Sequence, residues 1–382
     1  MFWSDLSKHF TDGFFIILVY GIFILWAYLI YVLFHGLYKK TIHKNYGYAY
    51  GAFFVILIIY YFGYFTNYDK EPIIPESIFE TKLQNIEVKT QENGFVQLGK
   101  IQETHKLELS TLSDLDKQTS STYLCITGDW TKKCEKSDLN ASLEIYKTNK
   151  PDIEILNTEI SKLTQYNYFK QEISEDFPSL HGLTALSRTS LFTAIYELQE
   201  GNQQKAINSL LIYKKLGDKL LEGDNSLVGI IIGLTIQNIT NSNINYIIDN
   251  FELDRENMTI LNNELRNLYN SQEIITNTIK IEYHLNKSGF TSGVKDGLIK
   301  SSMLFDMDEF FNEMRREKLA MIKGEENFKI SYSNYFKRRY LYKFLLGFST
   351  FSIESYKADF DKLNADRKNI LEKIDEKLSN KK

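Results

Sequence analysis

The apolar pattern of the chain begins with two long runs. Residues 14–34 and 46–65 contain no Asp, Glu, Lys or Arg. Each run is about 20 residues, and a helix rising ~1.5 Å per residue needs about that many to cross ~30 Å of hydrocarbon. A helix also satisfies its own backbone hydrogen bonds, as a bilayer interior demands. The pattern therefore predicts a transmembrane hairpin with spans at about 14–36 and 46–66. Trp3, Tyr38, Tyr46, Tyr48, Tyr64 and Tyr68 fit the aromatic belts of such spans, whereas Trp26 falls mid-span. Gly47 and Gly51, with Gly21 in the first run, leave room for close helix contact.

Downstream the pattern changes period. Residues 76–120 are polar and mixed, with a short strand or helix expected from Phe95 to Leu107 and a loop or frayed helix at 114–122. Gly128 and Asp129 read as a turn, Asp138 as a helix cap, and Pro151 as the first-turn residue of a helix carrying Ile153, Leu156, Ile160 and Leu163. After Pro178 no proline follows. Spacings of three and four predict helices at about 183–199, ended by Gly201, and 203–221, ended by Gly223. Another is expected from a cap at Asp224 or Asn225 to about 248, then two or three more in 255–285 and 295–323. The last helix is expected at 352–379. Its apolar positions Ile353, Tyr356, Phe360, Leu363, Ile370 and Ile374 follow a coiled-coil period that Arg367 interrupts.

The predicted fold class is mainly α. An N-terminal two-helix transmembrane hairpin (1–70) leads through a mixed linker and cysteine-loop region (71–150) to a helical domain (151–382) of helix-hairpin, tetratricopeptide-like or bundle type. Ala194, Gly201 and Ala206 match the small-residue spacing of one tetratricopeptide unit, but Glu197 stands where that motif carries an aromatic.

Charge sets the orientation. Lys39, Lys40 and Lys44 crowd the loop at 39–45, so the positive-inside rule puts that loop in the cytoplasm and both termini on the far side. A formal net charge of −4 carries no nucleic-acid footprint, so no nucleic-acid partner is expected. The two cysteines, Cys125 and Cys134, can pair in an oxidising compartment, closing a loop of about ten residues and restraining the unfolded chain by roughly 2.5–3 kcal/mol. Two free thiols in a reducing compartment is the alternative.

Candidate chemistry is sparse. There is no Walker loop, dinucleotide fingerprint or nucleophile elbow, and no cofactor or metal site is expected. His181 reads as a helix-entry residue or a loop base, and Asp306, Asp308 and Glu309 as a solvated helix start. The stretch with Lys337, Arg338, Arg339 and Lys343 among Tyr335, Phe336 and Tyr340 pairs basic with aromatic side chains. That combination suits a membrane surface with anionic headgroups, or equally a core helix with a basic outer face.

The order of features adds a resemblance. Two N-terminal membrane helices precede Leu124-Cys125 and a second cysteine nine residues on. Leu180-His181-Gly182-Leu183, the Ala194 to Ala206 pair, the stretch from Leu220 to Val228 around Ser226, and Phe348 to Phe360 follow. This arrangement resembles an uncharacterised family of proteobacterial two-helix inner-membrane proteins. The resemblance implies a bacterial inner-membrane location with a helical extracytoplasmic domain, and no activity. The functional expectation is a membrane-anchored periplasmic helical binding or scaffolding protein. Its expected partners are the lipid bilayer, an envelope protein and, through the C-terminal helix, a second copy. The alternative is an envelope enzyme whose acid and base come from separate helices.

Overall fold

A computed structural model describes residues 73–81, 88–128, 135–171, 181–295, 307–323 and 353–380. The predicted spans 14–36 and 46–66 and the loop 39–45 lie outside the described residues, as does the basic-aromatic stretch at 332–348. Ten α-helices follow in chain order among the described residues: α1 (Gly94–Thr104), α2 (Lys106–Ile126), α3 (Lys136–Leu163), α4 (His181–Gln199), α5 (Gln203–Glu222), α6 (Leu227–Asn250), α7 (Arg255–Leu265), α8 (Ser271–Lys295), α9 (Met307–Lys323) and α10 (Ile353–Asn380). They contain no β-strand, only isolated bridges pairing Asn93 with Tyr168 and Lys170 with Asp224. The protein is mainly α.

The described residues divide into two units. The larger holds 75–288, 317–323 and 353–380. In it α5 packs most extensively on α6 and α4, α2 lies on α3 and α4, and α10 lies on α6 and α7. The smaller holds residues 73–74, 289–295 and 307–316; there the Ile74 N–H donates to Asn312 Oδ1 at 2.9 Å.

The central pair α4–α5 is where the tetratricopeptide-like spacing fell. Ala194 and Ala206 are both fully buried, as small residues between packed helices should be. Gly201 adopts φ 79°, a left-handed conformation that closes the α4 end cheaply only for glycine. Glu197, the residue that breaks the motif, is buried and accepts from Lys150 at 3.1 Å and from Asn202 Nδ2 at 3.1 Å. On α5, Ala206, Leu210, Tyr213, Leu216 and Leu220 are fully buried, at helical spacing.

Among the described residues α6 alone has the length and composition of a membrane span, yet most of it is buried inside the fold. Among its interior amides, Asn243 Nδ2 donates to Ser187 O at 2.9 Å and to Ser190 Oγ at 3.1 Å.

Two open expectations are decided and one is corrected. Where a strand or helix at 95–107 and a loop or frayed helix at 114–122 are expected, the chain forms the helices α1 and α2; Phe95, Leu98, Leu112, Leu115 and Tyr123 are buried in the main core. Their apolar positions are too sparse for a clean period, and the core they meet supplies the missing signal. Pro151 lies inside α3 and does not open it. The helix begins 15 residues earlier, where the Glu135 N–H donates to Asp138 Oδ2 at 3.4 Å; the exposed Pro151 costs one backbone bond on the solvent side. The two or three helices expected in 255–285 and 295–323 are three, α7, α8 and α9; 266–270 separates α7 from α8, and Asp254 caps α7 through the Asn257 N–H at 2.7 Å.

Candidate functional site

A dense polar cluster lies beneath α10, around the residue that spoiled its heptad pattern. Phe360, Leu363 and Ile374 are fully buried and Ile370 nearly so; Arg367, between them, is fully buried as well. The seam that suggested self-association is thus occupied within the chain, against α6 and α7.

Arg367 is held from several directions. Nη1 donates to Asn267 O at 2.6 Å, and Nη2 donates to Gln237 Oε1 at 2.6 Å and Tyr269 Oη at 2.7 Å. Its guanidinium carbon stands 4.4 Å from the Tyr269 ring centre, and Asp218 Oδ1 is 3.7 Å away. Tyr269 in turn donates to Asp218. Gln237 Nε2 donates to Lys214 O at 2.6 Å and Asp218 Oδ1 at 2.9 Å. Lys214 pairs with Asp218 at 2.7 Å and with Glu264 at 3.5 Å, and Lys215 reaches Glu264 at 3.3 Å.

Local sequence explains part of this assembly. Lys214 and Asp218 are four apart on α5, so they share a face. Gly217 between them leaves the space that the Gln237 amide fills. The 267–269 segment offers its carbonyl and phenol because α7 ends at Leu265. Asn364 then clasps that segment, accepting from the Tyr269 N–H and donating to the Tyr269 carbonyl, each at 3.0 Å.

Electrostatically the cluster pairs Lys214 and Arg367 with Asp218 and Glu264. Burial first, and the Asp218 charge second, push the Tyr269 phenol well above its ordinary range, so it remains an O–H donor at neutral pH. On the exposed next turn of α5, the Glu222 carboxyl is raised, first by partial burial and then by Asp218. Residues from separate helices therefore do converge, but their hydrogen bonds run to one another. The arrangement acts as a clamp holding α10 in register on α5 and α6.

The clamp continues along α10. Lys373 donates to Asn245 Oδ1 at 2.8 Å and Asp249 Oδ2 at 2.7 Å, Lys377 to the Ile248 carbonyl, and Asn262 Nδ2 to Asp375 Oδ1 at 2.6 Å.

A second junction fixes the start of the larger unit. Phe79 is fully buried with its ring centre 4.6 Å from that of Tyr283. The His284 Nε2–H donates to Phe79 O at 3.0 Å, Lys280 Nζ to Glu80 O at 3.1 Å, and Lys287 Nζ to the Glu76 carboxylate at 2.6 Å. Thr81 donates to Asp224, which also accepts from Asn277 at 2.8 Å.

The residues singled out from sequence fall elsewhere. Lys337, Arg338, Arg339, Lys343, Tyr335, Phe336 and Tyr340 lie outside the described residues, as does Cys134. Cys125 stands near the end of α2. His181 opens α4, and Asp308 and Glu309 sit in the first turn of α9. Among the described residues no group of three or more His, Cys, Asp or Glu is placed to hold a metal ion. Sequence reading missed Lys214, Asp218, Gln237 and Tyr269. The signal within reach was Arg367, a charge at a position the period assigns to the core.

No protein-family model, curated protein or solved structure matches this chain.

Proposed function

We propose that this chain is a membrane-anchored helical binding or scaffolding protein of the bacterial envelope, two-pass through the inner membrane. Its helical body lies on the periplasmic side, with a short cytoplasmic loop at 39–45. The uncharged runs at 14–34 and 46–65 and the lysines between them support the anchor and its direction.

The observation that carries the scaffolding half of the reading is the junction at 76–81. Ten residues after the second uncharged run ends at Phe65, the chain reaches Pro75 and is seized by the body through buried Phe79 and the Glu76–Lys287 ion pair. The body thus begins about ten residues in sequence after the second uncharged run, with its first segment packed into the helices that offer a binding surface. Oxidation of Cys125 with Cys134 suits the same compartment.

The test is a topology reporter active only in the periplasm, fused after Lys382 in the full chain. Activity is the expected result, and an inactive fusion that is nevertheless retained in the membrane overturns the orientation. In-cell photocrosslinking from the exposed Ile231, 40 % accessible, should then yield a discrete protein adduct. Only lipid or no adduct would count against a protein partner at that surface.

A further inference from the structure

We propose that α10 is a releasable strap: it opens from its groove on α6 and α7 as a unit while the α4–α6 core stays folded. The motive is what lies buried beneath it. Asn241 of α6 is one helical turn from Gln237 and one from Asn245, and those two side chains bond Arg367 and Lys373 of α10. Side chains four apart share a helix face, so Asn241 belongs to the face that α10 covers. It is 2 % exposed, and neither Oδ1 nor Nδ2 bonds to a protein group. Across the seam, Arg367 Nε is buried without a partner as well.

An amide and a guanidinium N–H stripped of water without full replacement weigh against the docked state. Both regain hydrogen bonds once α10 lifts. Lys373 and Lys377, whose bonds also cross the seam, exchange them for water in the same movement. The apolar residues Phe360, Leu363, Ile370 and Ile374 close the strap, and the stranded polar groups keep it from closing tightly. The α5–α6 contact is built differently, with Gly217 and Gly233 bringing the helices into direct contact around buried Leu220, Leu221 and Ile236. Openings confined to one cooperative unit are expected where such a difference in packing exists. What the open form offers is a groove shaped for an amphipathic helix, with α10 as its resident occupant.

Native-state hydrogen exchange on the full chain tests this. Amides of residues 360–376 should exchange through an opening about tenfold or more populated than the one that exposes 206–220 of α5. Asn241→Leu should raise α10 protection about tenfold and leave 206–220 unchanged, because it removes the stranded amide. Equal protection of the two helices overturns the proposal. So does an Asn241→Leu chain in which protection falls throughout, since Asn241 is then satisfied when α10 is closed. A labelled peptide of residues 353–380 added to the full chain supplies a reading that needs no variant. Saturable binding that Arg367→Glu in the peptide abolishes supports a groove that opens. Absence of binding by the unaltered peptide counts against one.

Discussion

The side-chain amide of Gln237 lies across Gly217: a Cβ at residue 217 would stand 2.4 Å from Gln237 Nε2. That nitrogen is the far end of a long side chain, and elsewhere it would swing away. Here it is pinned by the Lys214 carbonyl and Asp218, while Oε1 holds Arg367. Gly217→Ala should therefore destabilise the chain by roughly 1–3 kcal/mol, with loosening concentrated at α10. Gly99→Ala, in α1 with nothing within 4 Å of its Cβ, should stabilise by about 0.5–1 kcal/mol. Urea midpoints of the two variants against the parent decide both, and equal effects would refute the contrast.

Two adjacent lysines on α5 should behave oppositely. Lys214 has a side chain only 5 % exposed and neutralises Asp218, whereas Lys215 is 47 % exposed. Lys214→Met should cost roughly 3 kcal/mol, since Asp218 keeps Tyr269 and Gln237 but loses its closest cation. Lys215→Met should change stability by less than about 1 kcal/mol. Thermal melts at matched pH and salt provide the comparison.

Glu222 makes stability depend on pH in a defined direction. Its folded-state carboxyl is raised, by partial burial and then by Asp218. The folded state thus binds its proton more tightly than the unfolded chain does. Its contribution is fully present below the unfolded carboxylate range and fades as pH rises through the raised value. Glu222→Gln should therefore stabilise modestly at pH 7, by about 0.5 kcal/mol or less given its exposure, and should make no difference in acid. A gain that grows on acidification would contradict this.

Pairing of Cys125 with Cys134 would close a loop of about ten residues. Reduction should then lower stability by roughly 2.5–3 kcal/mol. Thiol labelling of the denatured, unreduced chain should find both cysteines blocked; two labelled thiols would rule the bridge out.

The sequence by itself determined the helical character of the body and where several helices begin and end. Gly201 and Gly223 close α4 and α5 at their predicted places, because caps and breakers act through local backbone geometry. Periodicity likewise located the buried face of α10 within a residue of its observed span. Only the tertiary structure decided what that face meets. Arg367 reads as a flaw in a coiled-coil seam until Gln237, 130 residues away, and Tyr269, 98 away, are brought to its guanidinium. Pro151 reads as a helix start until the capping residues at 135 and 138 show the helix already under way. Residues 94–126 read as strand or helix in one part and as loop or frayed helix in another until a core forms around Phe95, Leu112 and Tyr123. For Arg367 and for residues 94–126 the deciding term is burial against partners remote in sequence, which sets the cost of a buried charge. No local pattern carries that information.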